Sequence, residues 1–309
     1  GISSNIDGDT VVVGAYSADS GGSWAGAAYI YTRSGTTWSE QAKLTASDAQ
    51  AGDYFGVHVA ISGNTVVVGA WGEDTGGSQS GAAYVFTRSG TTWSQQAKLT
   101  ASDAQADDNL GYCVCIDGDT VVVGAHNEDA GGTDAGAAYV FTRSGTTWTQ
   151  QQKLASSDIA AGDYFGRCSA ISGDTVVVGA YGDDHNYSSA GAAYVFTRSG
   201  TTWTQQQKIQ ASDAQADDYF GFRTAIDGDT VLVGAYSEDT GGSNAGAAYI
   251  FTRSGTTWTQ DKKIVASDGG ASDNFGYGLG IDEDTLVVSA PYEDSTANNA
   301  GAAYVFIAG

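Results

Sequence analysis

The sequence repeats itself every 55 residues, and this period restricts the fold more than any other feature. Six glycines stand in register without an insertion or deletion between them: Gly1, Gly56, Gly111, Gly166, Gly221 and Gly276. The repeats therefore cover residues 1–55, 56–110, 111–165, 166–220, 221–275 and 276–309. A fixed period of this length indicates one structural unit used several times, with each unit packed against its neighbours.

Each repeat carries four strand signals and no helical pattern. In the second copy they lie at residues 57–62, 65–70, 82–88 and 91–99, with short Gly-containing turns after the first and the third. The second signal is a β-branched run, which is typical of a strand buried on both faces. We therefore interpret each repeat as a small antiparallel sheet.

A four-stranded sheet cannot bury both of its apolar faces alone. Six such sheets arranged around an axis cover each other's faces and leave only short edges. We predict an all-β fold, a six-bladed β-propeller of four-stranded antiparallel blades, as a single domain over residues 1–309. The alternative is a linear β-solenoid, whose coils are usually shorter than this repeat.

The sixth repeat is shorter than the others, because residues 276–309 end after a third strand signal. The last blade is therefore predicted to lack its outer strand. Three explanations stay open: the blade tolerates three strands, the chain has been cut from a longer precursor, or another molecule adds its edge. In the last case the chain would assemble with copies of itself.

Composition excludes several classes of partner. The formal net charge is -23, which disfavours nucleic acid and anionic membrane surfaces. No apolar run approaches the length of about 20 residues that membrane insertion requires. Three cysteines make an odd count, so no complete disulfide framework holds the fold. We expect a secreted or cell-surface protein.

The repeats resemble FG-GAP repeats, the unit of integrin-α-type propellers. The "FG" element stands at Phe55-Gly56, Phe165-Gly166, Phe220-Gly221 and Phe275-Gly276, and Val68-Gly69-Ala70 matches "GA". The resemblance covers the whole chain. It implies a propeller with a role in extracellular adhesion, ligand binding or architecture, without indicating one ligand.

One departure from that pattern concerns calcium. Integrin-type repeats carry an Asp-x-Asp-x-Asp-Gly loop between the first two strands, whereas this chain has short turns such as Ile116 to Thr120. A two-residue turn cannot supply the six to eight oxygens that calcium prefers. The chain is therefore closer to bacterial variants that lack this loop, and the family's calcium site is not carried over.

Acidic residues concentrate at one end of the predicted blades. The linkers and the loops after the second strands hold 24 of the 36 acids, while five arginines precede the Ser-Gly turns at the other end. The acids keep a repetitive β-protein soluble, or they bind calcium once per blade. The candidate calcium ligands are Asp48, Asp53, Asp103, Asp108, Asp158, Asp163, Asp213, Asp218, Asp268 and Asp273.

The first strand of the repeat is its most variable strand. Its alternating positions, which are expected to line an axial channel or the seams beside it, include His58, Cys113, Cys115, Cys168 and Arg223. Cysteine and histidine are ligands for zinc or copper, but no close chelating spacing occurs. The alternatives are that these side chains differ for steric reasons near the axis, or that Cys113 and Cys168 form a disulfide.

No catalytic constellation is evident, since no nucleophile elbow or phosphate loop occurs and the carboxylates recur in every repeat. We predict a non-catalytic adhesion, binding or structural module whose partners are another protein, copies of itself or glycans. A lectin-like carbohydrate-binding propeller is the alternative, and a hydrolase is the third reading. The candidate residues for stacking on a ligand lie near the acidic loops: Trp24, Trp71, Tyr181 and Tyr187.

Overall fold

The computed structural model describes residues 3–294 and 299–307, and their regular secondary structure consists of β-strands. Gly1, the first glycine of the repeat series, lies outside the described residues. The strands of the first three blades are β1 (Ser3–Asp7), β2 (Thr10–Ala15), β3 (Ala27–Ser34), β4 (Thr37–Leu44), β5 (Val59–Ser62), β6 (Thr65–Ala70), β7 (Ala82–Ser89), β8 (Thr92–Leu99), β9 (Cys113–Asp117), β10 (Thr120–Ala125), β11 (Ala137–Ser144) and β12 (Thr147–Leu154).

The remaining strands form the last three blades. They are β13 (Cys168–Ser172), β14 (Thr175–Ala180), β15 (Ala192–Ser199), β16 (Thr202–Ile209), β17 (Arg223–Asp227), β18 (Thr230–Ala235), β19 (Ala247–Ser254), β20 (Thr257–Ile264), β21 (Gly278–Asp282), β22 (Thr285–Ala290) and β23 (Ala302–Ile307).

Each blade is an antiparallel sheet whose strands follow chain order. Blades 1 to 5 have four strands, and blade 6 has three within the described residues, β21–β23. The all-β six-bladed propeller, with an incomplete last blade, is therefore confirmed over the linear solenoid. The predicted hairpins are confirmed as well, since Ser62 pairs directly with Thr65 across a two-residue turn in which Gly63 has a φ of 55°.

The chain divides into two compact units. The first, Gly1–Ala155, holds blades 1 to 3, and the second, Ser156–Gly309, holds blades 4 to 6. The prediction of one domain over the whole chain stays a prediction. Among the described residues there is no helix of the length and apolarity that would cross a membrane.

The second strand of a blade is buried on both faces, as its β-branched sequence predicts. All residues of β6 are buried. Val66 and Val68 point to one side and pack in a cluster with Ile30 of blade 1, whereas Val67 points to the other and packs in a cluster with Val121 of blade 3. Equivalent clusters join blades 4 and 5, and blades 5 and 6. Each sheet is thus covered by its neighbour in sequence.

The phenylalanine of the repeated Phe-Gly pair anchors these seams. Phe55 is fully buried, and its ring contacts Tyr84 and Phe86 edge-on at centroid distances of 5.5 and 5.9 Å. Its backbone forms a parallel bridge with Gly26 of the preceding blade. The Phe-Gly pair therefore packs the linker against both of the blades that the linker connects.

The glycine of the pair allows the backbones of two blades to touch. In blade 3, where Leu110 stands in place of the phenylalanine, the N–H of Gly111 donates to the carbonyl of Gly124 at 2.9 Å. A Cβ added to Gly69 of blade 2 would overlap the Gly111 carbonyl oxygen. The same overlap would occur at Gly14, Gly179 and Gly234. At the corresponding position of blade 6, the last blade of this sequence, serine stands instead: Ser289.

We expect Gly69→Ser to destabilise the protein by about 3 kcal/mol or more, because the new side chain has no space between two backbones. The measurement is the urea midpoint followed by tryptophan fluorescence, with circular dichroism to detect a chain that does not fold. Ser289→Ala is the matched control and should leave the midpoint nearly unchanged. Equal midpoints for Gly69→Ser and the wild type would refute the close-approach argument.

Candidate functional site

The candidate site lies at one end of the blades. Because the strands are antiparallel, the loop after the second strand and the linker that enters the first strand emerge together, here called the loop end. In blade 2 these segments are residues 71–81 and 45–58. The two hairpin turns emerge at the opposite end, called the hairpin end. All ten candidate calcium ligands lie on linkers at the loop end.

The outer carboxylate is paired with a lysine in four of the five linkers. Lys98 Nζ lies 2.7 Å from Asp48 Oδ2 and 2.8 Å from Glu73 Oε1, and the Tyr84 hydroxyl donates to Asp48 Oδ1 at 2.9 Å. The same ion pair recurs at Asp103–Lys153, Asp158–Lys208 and Asp213–Lys263. In blade 6, Asp268 accepts a hydrogen bond from Tyr304.

These contacts lower the pKa of each of the four lysine-paired aspartates and so keep them ionised. Burial acts to raise the pKa of Asp48, but the hydrogen bonds from Lys98 and Tyr84 outweigh it, so the pKa of Asp48 is lowered. Burial likewise acts to lower the pKa of Lys98, yet the bonds to Asp48 and Glu73 raise it. The repeated acid and base form a structural ion pair at each of these linkers.

The inner carboxylate of each linker is buried and stabilises a turn. Asp53 Oδ2 accepts the backbone N–H of Gln50 at 2.7 Å. The same bond is made by Asp108, Asp163, Asp218 and Asp273. Burial raises the pKa of Asp218 to about 6, and the charge of Glu238 adds to this, while the hydrogen bond from Gln215 opposes it. The pKa values of Asp108 and Asp163 are also raised to about 6.

This donor set does not fit calcium well. The outer aspartates are engaged with lysine and tyrosine, and the inner ones with backbone N–H groups. Among the described residues, Oε2 of Glu73 and of Glu238 is buried without a hydrogen-bond partner, but a lysine lies against the other oxygen of each. In that part of the chain no three His, Cys, Asp or Glu side chains are grouped to hold a metal. Calcium binding stays a prediction.

The variable first-strand side chains act as hydrogen-bond acceptors for the next blade. Ser3 Oγ accepts the backbone N–H of Val59, and Asn5 Oδ1 accepts that of Ile61, both at 3.1 Å. His58 Nδ1 lies 3.4 Å from the backbone N of Val114. The first strand is the edge of its sheet, so its outward N–H groups would otherwise lack partners. This role was not predicted from the sequence.

The cysteines take part in the same arrangement. The backbone N–H of Thr224 donates to Cys168 Sγ at 3.4 Å. None of Cys113, Cys115 and Cys168 is disulfide-bonded, so the alternative of a disulfide is not adopted in this structure. Arg223 is the first residue of β17 in blade 5. The zinc or copper interpretation of these residues stays untested.

The tryptophans of the fourth strands stabilise packing at the hairpin end. Trp93 Nε1 donates to Gln41 Oε1 of the preceding blade at 2.8 Å, and the Arg88 guanidinium lies 5.2 Å from the Trp93 ring centroid. Arg88 also donates to Thr10 of blade 1 at 3.0 Å. Trp148 and Trp258 make the same bond to a glutamine of the preceding blade, so these rings are packing residues rather than sugar platforms.

Two of the predicted stacking residues lie in one aromatic cluster at the loop end of blades 1 and 2. Trp71 stacks on Tyr54 at 4.4 Å with an interplanar angle of 3°, and Trp24 meets Tyr54 edge-on at 6.0 Å. Tyr16 contacts both Trp24 and Tyr54. The structure therefore brings Trp24 and Trp71 together through Tyr54.

A second aromatic cluster lies at the loop end of blades 4 to 6. Tyr181 stacks on Tyr164 at 5.0 Å and meets Tyr219 and Phe222 edge-on at 5.8 Å. Tyr219 in turn stacks on Tyr236 at 5.5 Å. Tyr187, the remaining predicted stacking residue, is 56% exposed and lies on the loop beyond this cluster.

The second cluster carries the positive charge of Arg167, which was not predicted as a site residue, and of Arg223, which was predicted to line the channel or its seams. The guanidinium carbons of Arg167 and Arg223 lie 4.7 and 5.0 Å from the Phe222 ring centroid. Arg167 and Phe222 each directly follow the glycine of the Phe-Gly pair, a position held by Tyr112 and Tyr277 in other repeats. Comparing the residue at this one position across the repeats would have singled out Arg167 and Phe222.

Some aromatic residues at the loop end have an unfavourable backbone conformation. Tyr54, Tyr164 and Tyr219 have φ values of 55°, 54° and 56°. The same position is held by asparagine in two repeats, Asn109 and Asn274, at 56° and 55°. Asparagine tolerates this left-handed region better than tyrosine does. The conformation of the turn therefore does not explain why tyrosine occupies this position.

The fold and its repeated motif define a repeat-built β-propeller. A family model described as FG-GAP repeat matches residues 1–31, 38–86, 93–141, 148–196, 203–251 and 258–306. The chain belongs to this family. Most of these matches begin in the fourth strand of one blade and end in the third strand of the next, so they include the seam. A search of curated proteins found no match.

We expect the protein to become more stable as the pH falls from 7.5 to 5. Three buried carboxylates, Asp108, Asp163 and Asp218, have folded pKa values of about 6 against an ordinary value of 3.8. In this window the folded state binds more protons than the unfolded state, so stability rises on acidification and is lost again as the pH rises through 6. Each kcal/mol corresponds to about 2–4 °C in Tm.

Two triple variants distinguish the effect of the three buried carboxylates from the general effect of the large negative charge. Replacing all three residues by asparagine keeps an acceptor for the backbone N–H and should raise Tm at pH 7.5 while flattening its pH dependence. The control makes the same change at three exposed acids, Asp107, Asp217 and Asp284. Identical pH profiles for the two triple variants, measured by differential scanning calorimetry, would contradict the assignment.

Proposed function

We propose that this FG-GAP propeller is a non-catalytic binding module, secreted or displayed at a cell surface, which contacts its ligand through the loop end. FG-GAP propellers commonly serve in binding and adhesion, and this proposal extends that role to the present chain. Its partners are then another protein, copies of itself or glycans. The observation that carries the proposal is the placement of aromatic rings at loop-end positions where the backbone favours asparagine.

The distribution of carboxylates supports a role without catalysis. A hydrolytic site needs acids with distinct environments that stand apart from their repeats. Here Asp48, Asp103, Asp158 and Asp213 make the same lysine pair in successive blades. The inner aspartates also make equivalent backbone contacts from blade to blade. Such acids serve the fold in each repeat, which leaves the aromatic residues as the variable surface.

The lectin-like reading is the form of this proposal that the aromatic clusters favour. Tyr54 lies within 6.0 Å of both Trp24 and Trp71, measured between ring centroids, and Trp24 is 45% exposed. Flat exposed rings with polar edges suit ligands that have both apolar faces and hydroxyl groups, as sugars have. Calcium is not required for this mode of binding.

We expect the purified protein to bind intact cells or a glycan array, and the double variant Tyr54→Asn/Tyr219→Asn to lose most of that binding. Asparagine occupies this position in other repeats, so the fold should be preserved. Trp38→Phe, which changes an exposed ring at the hairpin end, is the control and should bind like the wild type. Unchanged binding by the double variant, or turnover of a bound glycan, would overturn the proposal.

A self-assembling structural role is the second candidate. Val305 and Ile307 of β23 are 67% and 64% exposed, whereas Val85 and Val140, at the position equivalent to Val305 in other blades, are fully buried. An exposed apolar face of this kind suits association with another copy of the chain.

Light scattering coupled to size-exclusion chromatography tests this second candidate. The apparent mass should rise with protein concentration for the wild type, and Val305→Asp should abolish the rise because it places a charge on the exposed face. Thr92→Asp, at an exposed site on β8, is the control for added charge. A constant monomer mass for the wild type up to high concentration excludes assembly.

A further inference from the structure

The aromatic cluster of blades 4 to 6 differs from that of blades 1 and 2 in charge. Phe222 is buried at its centre and contacts Tyr236 at 4.5 Å and Tyr277 at 5.2 Å. The guanidinium groups of Arg167 and Arg223 both lie over the Phe222 ring. The cluster of blades 1 and 2 has Val57 and His58 at the positions of Phe222 and Arg223. One of the two clusters is therefore cationic.

This positive charge is unusual for the chain. Of its 13 basic residues, five arginines lie at the hairpin end, and four lysines pair with linker aspartates. Arg223 makes no ion pair within the described residues, and its guanidinium contacts Phe222 through the ring and a 3.5 Å bond to the backbone carbonyl. A chain with a net charge of -23 thus presents a guanidinium that is available to an anion.

The same contacts exclude a basic ligand. An aromatic cluster attracts cations through the faces of its rings. Here the central ring already has two guanidinium groups close to it, and a third cation would meet their repulsion. Burial raises the pKa of Tyr236, and the charge of Arg167 acts against that shift.

The backbone of Tyr219 gives a second and independent indication of a ligand. Tyr219 has a φ of 56°, at a position where blades 3 and 6 carry asparagine. Its ring stacks on Tyr236 and meets Tyr181, so it joins the rings of blades 4 and 5. A bulky residue kept in a conformation of higher energy is typical of a functional site.

The sheet edge beside the cluster does not suit an extended peptide. Peptides commonly bind by adding a strand to a sheet through main-chain hydrogen bonds. The outward N–H groups of Thr224 and Gly228 are already bonded to Cys168 Sγ and Ser172 Oγ of the preceding blade. What the cluster offers is flat rings with hydroxyl edges and a guanidinium, which matches a sugar ring that carries a carboxylate.

We propose that the cluster of Tyr181, Tyr219, Phe222, Tyr236 and Tyr277, together with Arg223, binds a carboxylated saccharide such as a uronic acid oligomer. The tyrosine rings stack on the sugar faces, and the Arg223 guanidinium binds the carboxylate. The inference rests on the proposed binding function and names its ligand class. The aromatic cluster of blades 1 and 2 is the counterpart without arginine.

Isothermal titration calorimetry with tri-galacturonate and neutral galactotriose tests the inference. The wild type should bind the acidic trimer at least about tenfold more tightly than the neutral one. Arg223→Gln should remove most of this preference, whereas Arg33→Gln, which deletes the same charge at the hairpin end, should retain it. Tyr219→Asn should weaken binding of the acidic trimer without lowering Tm, and Tyr54→Asn in the uncharged cluster should not change it.

Each other outcome overturns the inference. Equal binding of both trimers, or full binding by Arg223→Gln, excludes the assigned role of Arg223. Displacement of the acidic trimer by poly-glutamate at lower concentration would make an acidic peptide the better ligand. If neither trimer binds while the protein still adheres to cells through its loop end, this inference fails and the proposed function stands. If the protein also adheres to no cell or glycan, both fail.

Discussion

The close approach of two glycines at the seams within each unit is the constraint on which the rest of the structure depends. The carbonyl of the repeat glycine that leads into one blade, such as Gly111, occupies the space of a missing side chain on the preceding blade, here that of Gly69. This contact sets how near the sheets lie, so valines from both can interdigitate and Phe55 and its equivalents can fill the remaining space. It also brings every linker to the loop end, where the acidic and aromatic residues are collected.

The acidity of the chain has a structural explanation at the linkers. Outer aspartates such as Asp48 form ion pairs with lysines of the blade they enter, and inner ones such as Asp53 stabilise the turn that positions the Phe-Gly pair. Carboxylates placed this way are already engaged, and few of their oxygens are free for a cation. Variation is tolerated instead at the aromatic and first-strand positions, and there the blades become chemically different from one another.

The fold could be predicted from the sequence because the period, the β-branched second strand and the two-residue turns all reflect local or nearest-neighbour packing. The acidic linkers could be placed at one end for the same reason. The pairing of Asp48 with Lys98 was not predicted, because it depends on where a side chain from the end of the fourth strand reaches. Arg167 was missed because it follows the repeat glycine in one repeat only and forms no pattern, and Arg223 was predicted as a residue of the channel or its seams rather than of an aromatic cluster. The hydrogen bonds of Ser3, Asn5 and His58 depend on the spacing between sheets, which one strand does not reveal.

The hydrogen bonds from each first strand to the next have a consequence for how the chain acquires its structure. Ser3 to Val59, His58 to Val114 and Cys168 to Thr224 each join residues separated by 56 positions in sequence. Such bonds join neighbouring blades within the first three blades and within the last three. A folded blade therefore presents the acceptors that the first strand of the next blade needs. Folding can then proceed blade by blade from any starting blade, without a contact between blades that are far apart in sequence. The protein can therefore fold progressively as it is synthesised.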